Sequence, residues 1–158
     1  LDHSGAEIGL PTSFFVGAAL NLNALNPEHE ARNLVRKIKA GADFFLTQPV
    51  FDIPHTRAAI LRMKEHVDGA RIPIFAGILP LVTDRHANFL HHEVPGISIP
   101  EEAMRRMQEA GEKGPRAGIQ IAAEIIQGIR DLVDGIYLMP AFSRFDYASE
   151  IVEEIRRN

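Results

Sequence analysis

The sequence predicts an α/β fold of the parallel (β/α)₈ TIM-barrel type, here a half barrel of four β-α units with extra helix after the third strand. Three observations predict it. Four short apolar runs stand out at residues 13–19 (SFFVGAA), 44–50 (FFLTQPV), 72–79 (IPIFAGIL) and 135–139 (GIYLM). They are continuous rather than alternating, as in strands covered on both faces. Each is followed by a helical pattern, so the β-α order repeats four times. A weak internal repeat, Gly41-Ala42-Asp43 and Asp134-Gly135, precedes strands and fits stacked β-α units rather than a solenoid. A doubly wound sheet is the alternative, but no GxGxxG follows the first strand, which argues against its dinucleotide-binding version.

The elements follow in order. After the first strand, Asn26 is a good N-cap and Pro27 suits the first helical position. Glu28 and Glu30 lie near the positive end of the helix dipole. Leu34, Val35 and Ile38 face inward, and Gly41 closes the helix in the left-handed conformation. The second helix spans about 54–67, with Ala58, Ile60, Leu61 and Met63 as its apolar contacts, and Asp68-Gly69 stops it. After the third strand, Thr83 or Asp84 caps a short helix through Leu90, and Val94-Pro95-Gly96 breaks it. A further helix opens at Ile99-Pro100-Glu101-Glu102 and runs to about Ala110, and Gly114-Pro115 breaks the chain again. A long helix spans roughly 116–132 on a stripe of Ile119, Ala122, Ala123, Ile126, Ile129 and Leu132. Residues 144–156 make the closing helix.

Composition narrows the function. The 158 residues allow one domain with a real core, read as a single unit over 1–158. Apolar residues at 46% and charged residues at 24% are an ordinary globular balance. The net charge of −4 gives no basic footprint for nucleic acid. No apolar stretch approaches the length of a membrane span, and no polybasic run suggests a surface anchor. The absence of Cys excludes disulfides, thiol catalysis and cysteine metal sites and fits the reducing cytoplasm. His91-His92 would face different ways on a helix, and His86 precedes His91 by five residues, so no metal site is expected. No Ser carries a nucleophile elbow.

In parallel sheets the strand C-terminal ends carry function. The residues there are Asn21 and Asn23, then Thr47, Gln48 and Asp52, then Thr83 to His86, then Phe142, Ser143 and Arg144. The set suits hydrogen bonding to a heterocycle with an anionic tail and offers no nucleophile. Asn33, Arg36 and Lys37, spaced i, i+3 and i+4, share one helix face fit for a diphosphate or for solvent. Asp52 reads as an N-cap.

Four segments resemble the methylenetetrahydrofolate reductase family, bacterial type: PTSFFVGAALN at 11–21, LVRKIKAGADFFLTQPVFD at 34–52, IPIFAGILPLVTDRHANFLHHEVPGISIP at 72–100 and GIYLMPAFSRFDYASEIV at 135–152. The pattern KxxAGAxxxxTQxxFD followed by PxxxGILP carries the resemblance. It implies the C-terminal half of a flavin-binding barrel, from its fifth strand to its eighth helix. In such a barrel FAD passes hydride from NAD(P)H to 5,10-methylenetetrahydrofolate, giving 5-methyltetrahydrofolate for methionine synthesis. By family position, Glu30, Asn33, Arg36 and Lys37 contact FAD, and Asn21 and Asn23 do so more loosely. Gln48 contacts the pterin, and Leu79 and Pro80 shape the pocket floor. His86 stands where relatives carry a Gln, Leu90 packs at the folate/nicotinamide position, and Arg144 meets the folate tail or the nicotinamide nucleotide.

The general acid belongs to the N-terminal half, so no residue here is assigned a catalytic role. A start at Leu1 suggests a fragment, a processed chain or a trimmed one. A half barrel exposes two strand edges and one apolar face, so the chain is expected to self-associate, to bind a separate N-terminal half, or to be inactive alone. Two other readings remain: a half barrel of another small-molecule-binding TIM-barrel enzyme, and a non-catalytic assembly module.

Overall fold

The computed structural model describes residues 1–10, 13–67 and 72–157. Its sheet has four strands in the order β1-β2-β3-β4, every neighbouring pair parallel: β1 (Gly17–Leu20), β2 (Phe44–Pro49), β3 (Ile74–Ile78) and β4 (Gly135–Leu138). Sequential order with parallel pairing requires a crossover between every pair. Helix α1 (Pro27–Lys39) crosses from β1 to β2, and α2 (Ile53–Glu65) from β2 to β3. Between β3 and β4 lie α3 (Asp84–Glu93), α4 (Glu101–Ala110), a 3₁₀ turn at Gly111–Lys113 and α5 (Gly114–Ile129). After β4, a 3₁₀ turn at Ala141–Ser143 leads into α6 (Phe145–Arg157).

One face of the sheet is covered by helices. Leu20, Phe45, Thr47, Ile74, Ala76 and Ile78 are buried there and share a core with Leu34, Ile60, Met63, Ile126 and Ile129. The alternate residues Gly17, Ala19, Phe44, Leu46, Phe75 and Tyr137 line the other face and are exposed or half-buried. Phe15 stacks on Phe44 at 5.1 Å between ring centroids, and Phe44 meets Phe75 edge-on at 5.9 Å, so an aromatic row crosses this open face.

The repeat before the strands has a structural meaning. Asp43 donates its backbone N–H to Val16 O (2.8 Å) and accepts Val16 N at Oδ2 (2.7 Å). Asp134 does the same to Ile74, at 2.8 and 2.9 Å. Each Asp clasps the entry of the preceding strand and fixes its register.

Several expected boundaries move. Residues 13–16 are not strand, because β2 begins opposite Gly17 and no described residue pairs with residues 13–15. On α2, Ala58 and Leu61 face solvent, and Thr56 takes the inward position with Ile60 and Met63. Gly114-Pro115 starts α5 rather than separating it from the chain before, since a first-turn Pro loses no helical hydrogen bond. Gly114 and Gly118 let α5 press against the backbone of Leu81 and Val82. The helix stop expected at Asp68-Gly69 lies outside the described residues.

Candidate functional site

All four strands point the same way, so residues following them share one edge of the sheet. One group of expected site residues runs from it down α1 to the last turn of that helix, and two further groups lie along it.

The first surrounds α1. Asn26 caps the helix by accepting from His29 N at 2.9 Å. Glu30 Oε1 accepts from Asn21 N (3.1 Å) and from Lys37 Nζ (3.4 Å), and Lys37 Nζ also donates to Ala19 O (2.7 Å). Backbone groups alternate sides along a strand. Val16 faces β2 through Asp43, so Ala19 O and Asn21 N face the free edge of β1. The Glu30–Lys37 pair therefore caps that edge. Asn33 Nδ2 donates to Glu30 Oε2 (3.4 Å), and Arg36 donates to Asn33 Oδ1 (3.3 Å). Arg36 has no carboxylate partner among the described residues, and with Asn33, Lys37 and Ala40 it lines a shallow cavity of about 290 Å³.

The second group is Gln48 and the loop above it. The β2–β3 register shifts between Leu46 and Pro49, which places Thr47 and Gln48 in a bulge. Gln48 Oε1 is buried without a hydrogen-bond partner among the described residues. Gly96, at φ +83°, lies over it, and a Cβ there would sit 2.7 Å from Oε1. Asn23 accounts for the loop's position: its Nδ2 donates to Gly96 O at 3.0 Å, while its own N–H donates to Asn21 Oδ1 at 3.0 Å. Both Asn side chains thus organise loops.

The third group follows β3 and β4. Thr83 caps α3 by accepting from His86 N at 3.0 Å. The His86 ring is half-buried, and burial holds its pKa below the ordinary value. Its Nδ1 is buried and unpartnered among the described residues, and its ring meets Phe142 edge-on at 5.1 Å. Thr83, Arg85, His86, Phe89, Ala141 and Phe142 enclose about 370 Å³. Phe142 and Ser143 adopt φ of 55° and 57°, strained for residues with a side chain, and Phe142 is left 71% exposed. Leu90 is 6% exposed and packs in the core, whereas Phe89, 56% exposed, forms the pocket wall. Arg144 is turned onto α6: it pairs with Asp146 at 2.6 Å, and its Cζ lies 3.9 Å from the Tyr147 ring centroid.

The fold thus joins Asn21, Glu30, Asn33, Arg36 and Lys37 in one network, Gln48 with Asn23 through Gly96, and His86 with Phe142. It does not turn Arg144 toward these groups. Sequence reasoning missed Phe89, Gly96 and Tyr137 as neighbours of the site. Only the Val94-Pro95-Gly96 breaker was a signal, pointing to a positive-φ turn without saying what it covers. Asp52 is an N-cap as expected, accepting from His55 N at 2.8 Å. Among the described residues no group of three acidic, His or Cys side chains could hold a metal ion, and no helix is long and apolar enough to cross a membrane.

A solved structure from Clostridium thermocellum, an uncharacterized protein that binds two copies of 5-methyl-5,6,7,8-tetrahydrofolic acid, has a similar fold, with a TM-score of 0.62 at 15% identity. The match covers 89% of this chain and 52% of that one, so the chain spans about half of that protein's length. No curated protein matches the sequence significantly. The profile of the methylenetetrahydrofolate reductase family matches residues 19–156, which take in the end of β1, all of β2, β3 and β4, and the three groups of residues described above, and the chain belongs to that family.

Proposed function

We propose that this chain forms the C-terminal half of a flavin-dependent (β/α)₈ barrel, as one domain over residues 1–158, that reduces 5,10-methylenetetrahydrofolate to 5-methyltetrahydrofolate with NAD(P)H. One observation carries the reading. In a chain of this family, the Gln48 amide and the His86 ring each keep a buried polar atom without a partner among the described residues, at the C-terminal edge of a parallel sheet. Buried polar atoms without partners are costly in a folded protein, and a ligand held at this edge would supply the missing bonds. The folate bound by the Clostridium thermocellum protein is the product of this reaction, which supports the choice of substrate.

The α1 face suits FAD in part. Arg36, exposed and bonded only to Asn33 among the described residues, is the donor that would meet the diphosphate, with Asn33 beside it. Lys37 and Glu30 would reach the cofactor only by releasing the β1 edge. Bound there, the flavin supplies hydride transfer between the nicotinamide and the folate. The chain's own residues bind and orient. The Gln48 amide offers a donor and an acceptor to the pterin edge. Phe89 and Phe142 give the pocket beside His86 apolar walls. Arg144 meets an anionic tail once it exchanges Asp146 for the ligand's carboxylate. No residue of the chain stands as general acid, and the proton donor belongs to the complementary half, so the isolated chain is inactive.

The test is co-expression with a segment encoding four further β-α units. A yellow complex that oxidises NADH with an artificial acceptor, and that binds folate measurably more weakly in Gln48→Ala, is the expected result. A colourless, inactive complex defeats the reading. The uncovered aromatic row favours a second reading, a non-catalytic assembly module. That module would form the same complex without flavin and tolerate Ala at Arg36, Lys37 and Gln48.

A further inference from the structure

The bulge that presents Gln48 needs a restraint, and the structure supplies one from two strands away. Where β2 slips against β3, Thr47 and Gln48 leave the regular ladder. A bulge frees backbone groups and re-aims the neighbouring side chain. Thr47 Oγ1 accepts from Gly77 N at 2.9 Å and donates to Gln48 O at 2.7 Å. The carbonyl of Thr47 accepts from the phenol of Tyr137. Tyr137 belongs to β4, so its side chain crosses β3 to reach β2. The residue at the crossing is Gly77, the register partner of Tyr137. A Cβ on Gly77 would sit 2.7 Å from the phenol oxygen and 2.9 Å from Cζ. The glycine is what lets the ring lie across the open face and touch the bulge. Burial raises the phenol's pKa above its ordinary value, so the hydroxyl remains a donor at neutral pH.

Gln48 itself makes no side-chain hydrogen bond to any described residue. Its amide is aimed by the backbone beneath it and by Gly96 above it. We propose that Tyr137 is a positioning residue for Gln48: its hydroxyl, reaching across Gly77, holds the Thr47–Gln48 bulge in the conformation that points the amide at the ligand. That the ligand is a folate rests on the function proposed above, whereas the tie between Tyr137 and the bulge does not.

The experiment uses the full chain in the co-expressed complex and 5-methyltetrahydrofolate as probe. Tyr137→Phe keeps the ring and removes the donor. It is expected to weaken binding by about tenfold, the loss of one hydrogen bond's worth of orientation. In a Gln48→Ala background it is expected to change nothing further, since its effect passes through Gln48. 4-Aminophenylalanine at 137 returns a donor and is expected to restore the affinity. A ligand-free reading runs beside it: the side-chain amide resonances of Gln48 shift in Tyr137→Phe while cooperative unfolding is retained. Additive effects of the two substitutions, unmoved Gln48 resonances, or loss of cooperative folding in Tyr137→Phe would each overturn the proposal. If the unaltered complex binds no folate, the functional reading fails, and the resonances alone still decide the tie.

Discussion

Asn26, Asp52 and Thr83 each take the same role one residue before a helix, accepting the N–H three residues on. A side-chain cap of this kind is worth about 1 kcal/mol. Asp52→Ala is accordingly expected to lower stability by roughly that amount in urea unfolding, with the slope unchanged. Two histidines titrate with opposite consequences. Burial depresses the pKa of His86, so the unfolded chain takes up its proton first as pH falls. Stability is lost from the ordinary value of 6.5 down toward the folded one. The pKa of His66 is raised, first by its bond to the Arg62 carbonyl and then by Glu28. Its contribution is complete below 6.5 and is lost as pH rises through the folded value. Unfolding midpoints between about pH 5 and 8 test both signs. His86→Leu should flatten the loss of stability as pH falls below 6.5, and His66→Ala should flatten the loss as pH rises above it; the reverse pattern would refute the assignment.

At the scale of elements, backbone contact governs two features. A Cβ on Gly118 would land on the Leu81 carbonyl oxygen, so α5 reaches its place only because that position is glycine. Gly118→Ala is expected to destabilise by about 1–3 kcal/mol or more, the usual cost of overpacking, and unaltered thermal stability would show that the segment at 81–82 gives way freely. The Glu30–Lys37 pair occupies Ala19 O and Asn21 N on the free edge of β1. Exposed strand edges pair with other chains unless blocked, often by Lys. Lys37→Met is therefore expected to increase concentration-dependent association of the isolated chain in light scattering. Unchanged association would mean that the edge is protected by something other than this pair.

The whole molecule is defined by its uncovered face. Phe15, 76% exposed, continues the row through Phe44 and Phe75, and Leu46 is open beside them. Contiguous exposed apolar surface of this kind marks an interaction site. The native chain is expected to bind an apolar dye such as ANS, and Phe44→Ser with Leu46→Ser to abolish most of that signal without lowering the free energy of unfolding by more than about 2 kcal/mol. Dye binding that survives both substitutions would place the apolar surface elsewhere.

Much of this was legible in the chain itself. Continuous apolar runs, Asn26-Pro27 and Asp52 set the strand and helix order, because strand burial and helix capping depend on neighbours in sequence. The TQ dipeptide identified a polar side chain near the C-terminal end of β2 for the same reason. What folded packing alone decided were the relations between distant residues. Leu90 turned into the core and Phe89 into the pocket because α3 chose which stripe to bury. Arg144 found Asp146, and Lys37 found a strand edge, since a charged side chain settles on the best partner within reach. Gly96 over Gln48, and Tyr137 reaching Thr47 across Gly77, join positions 48 and 90 residues apart, and no local periodicity encodes contacts at such separations.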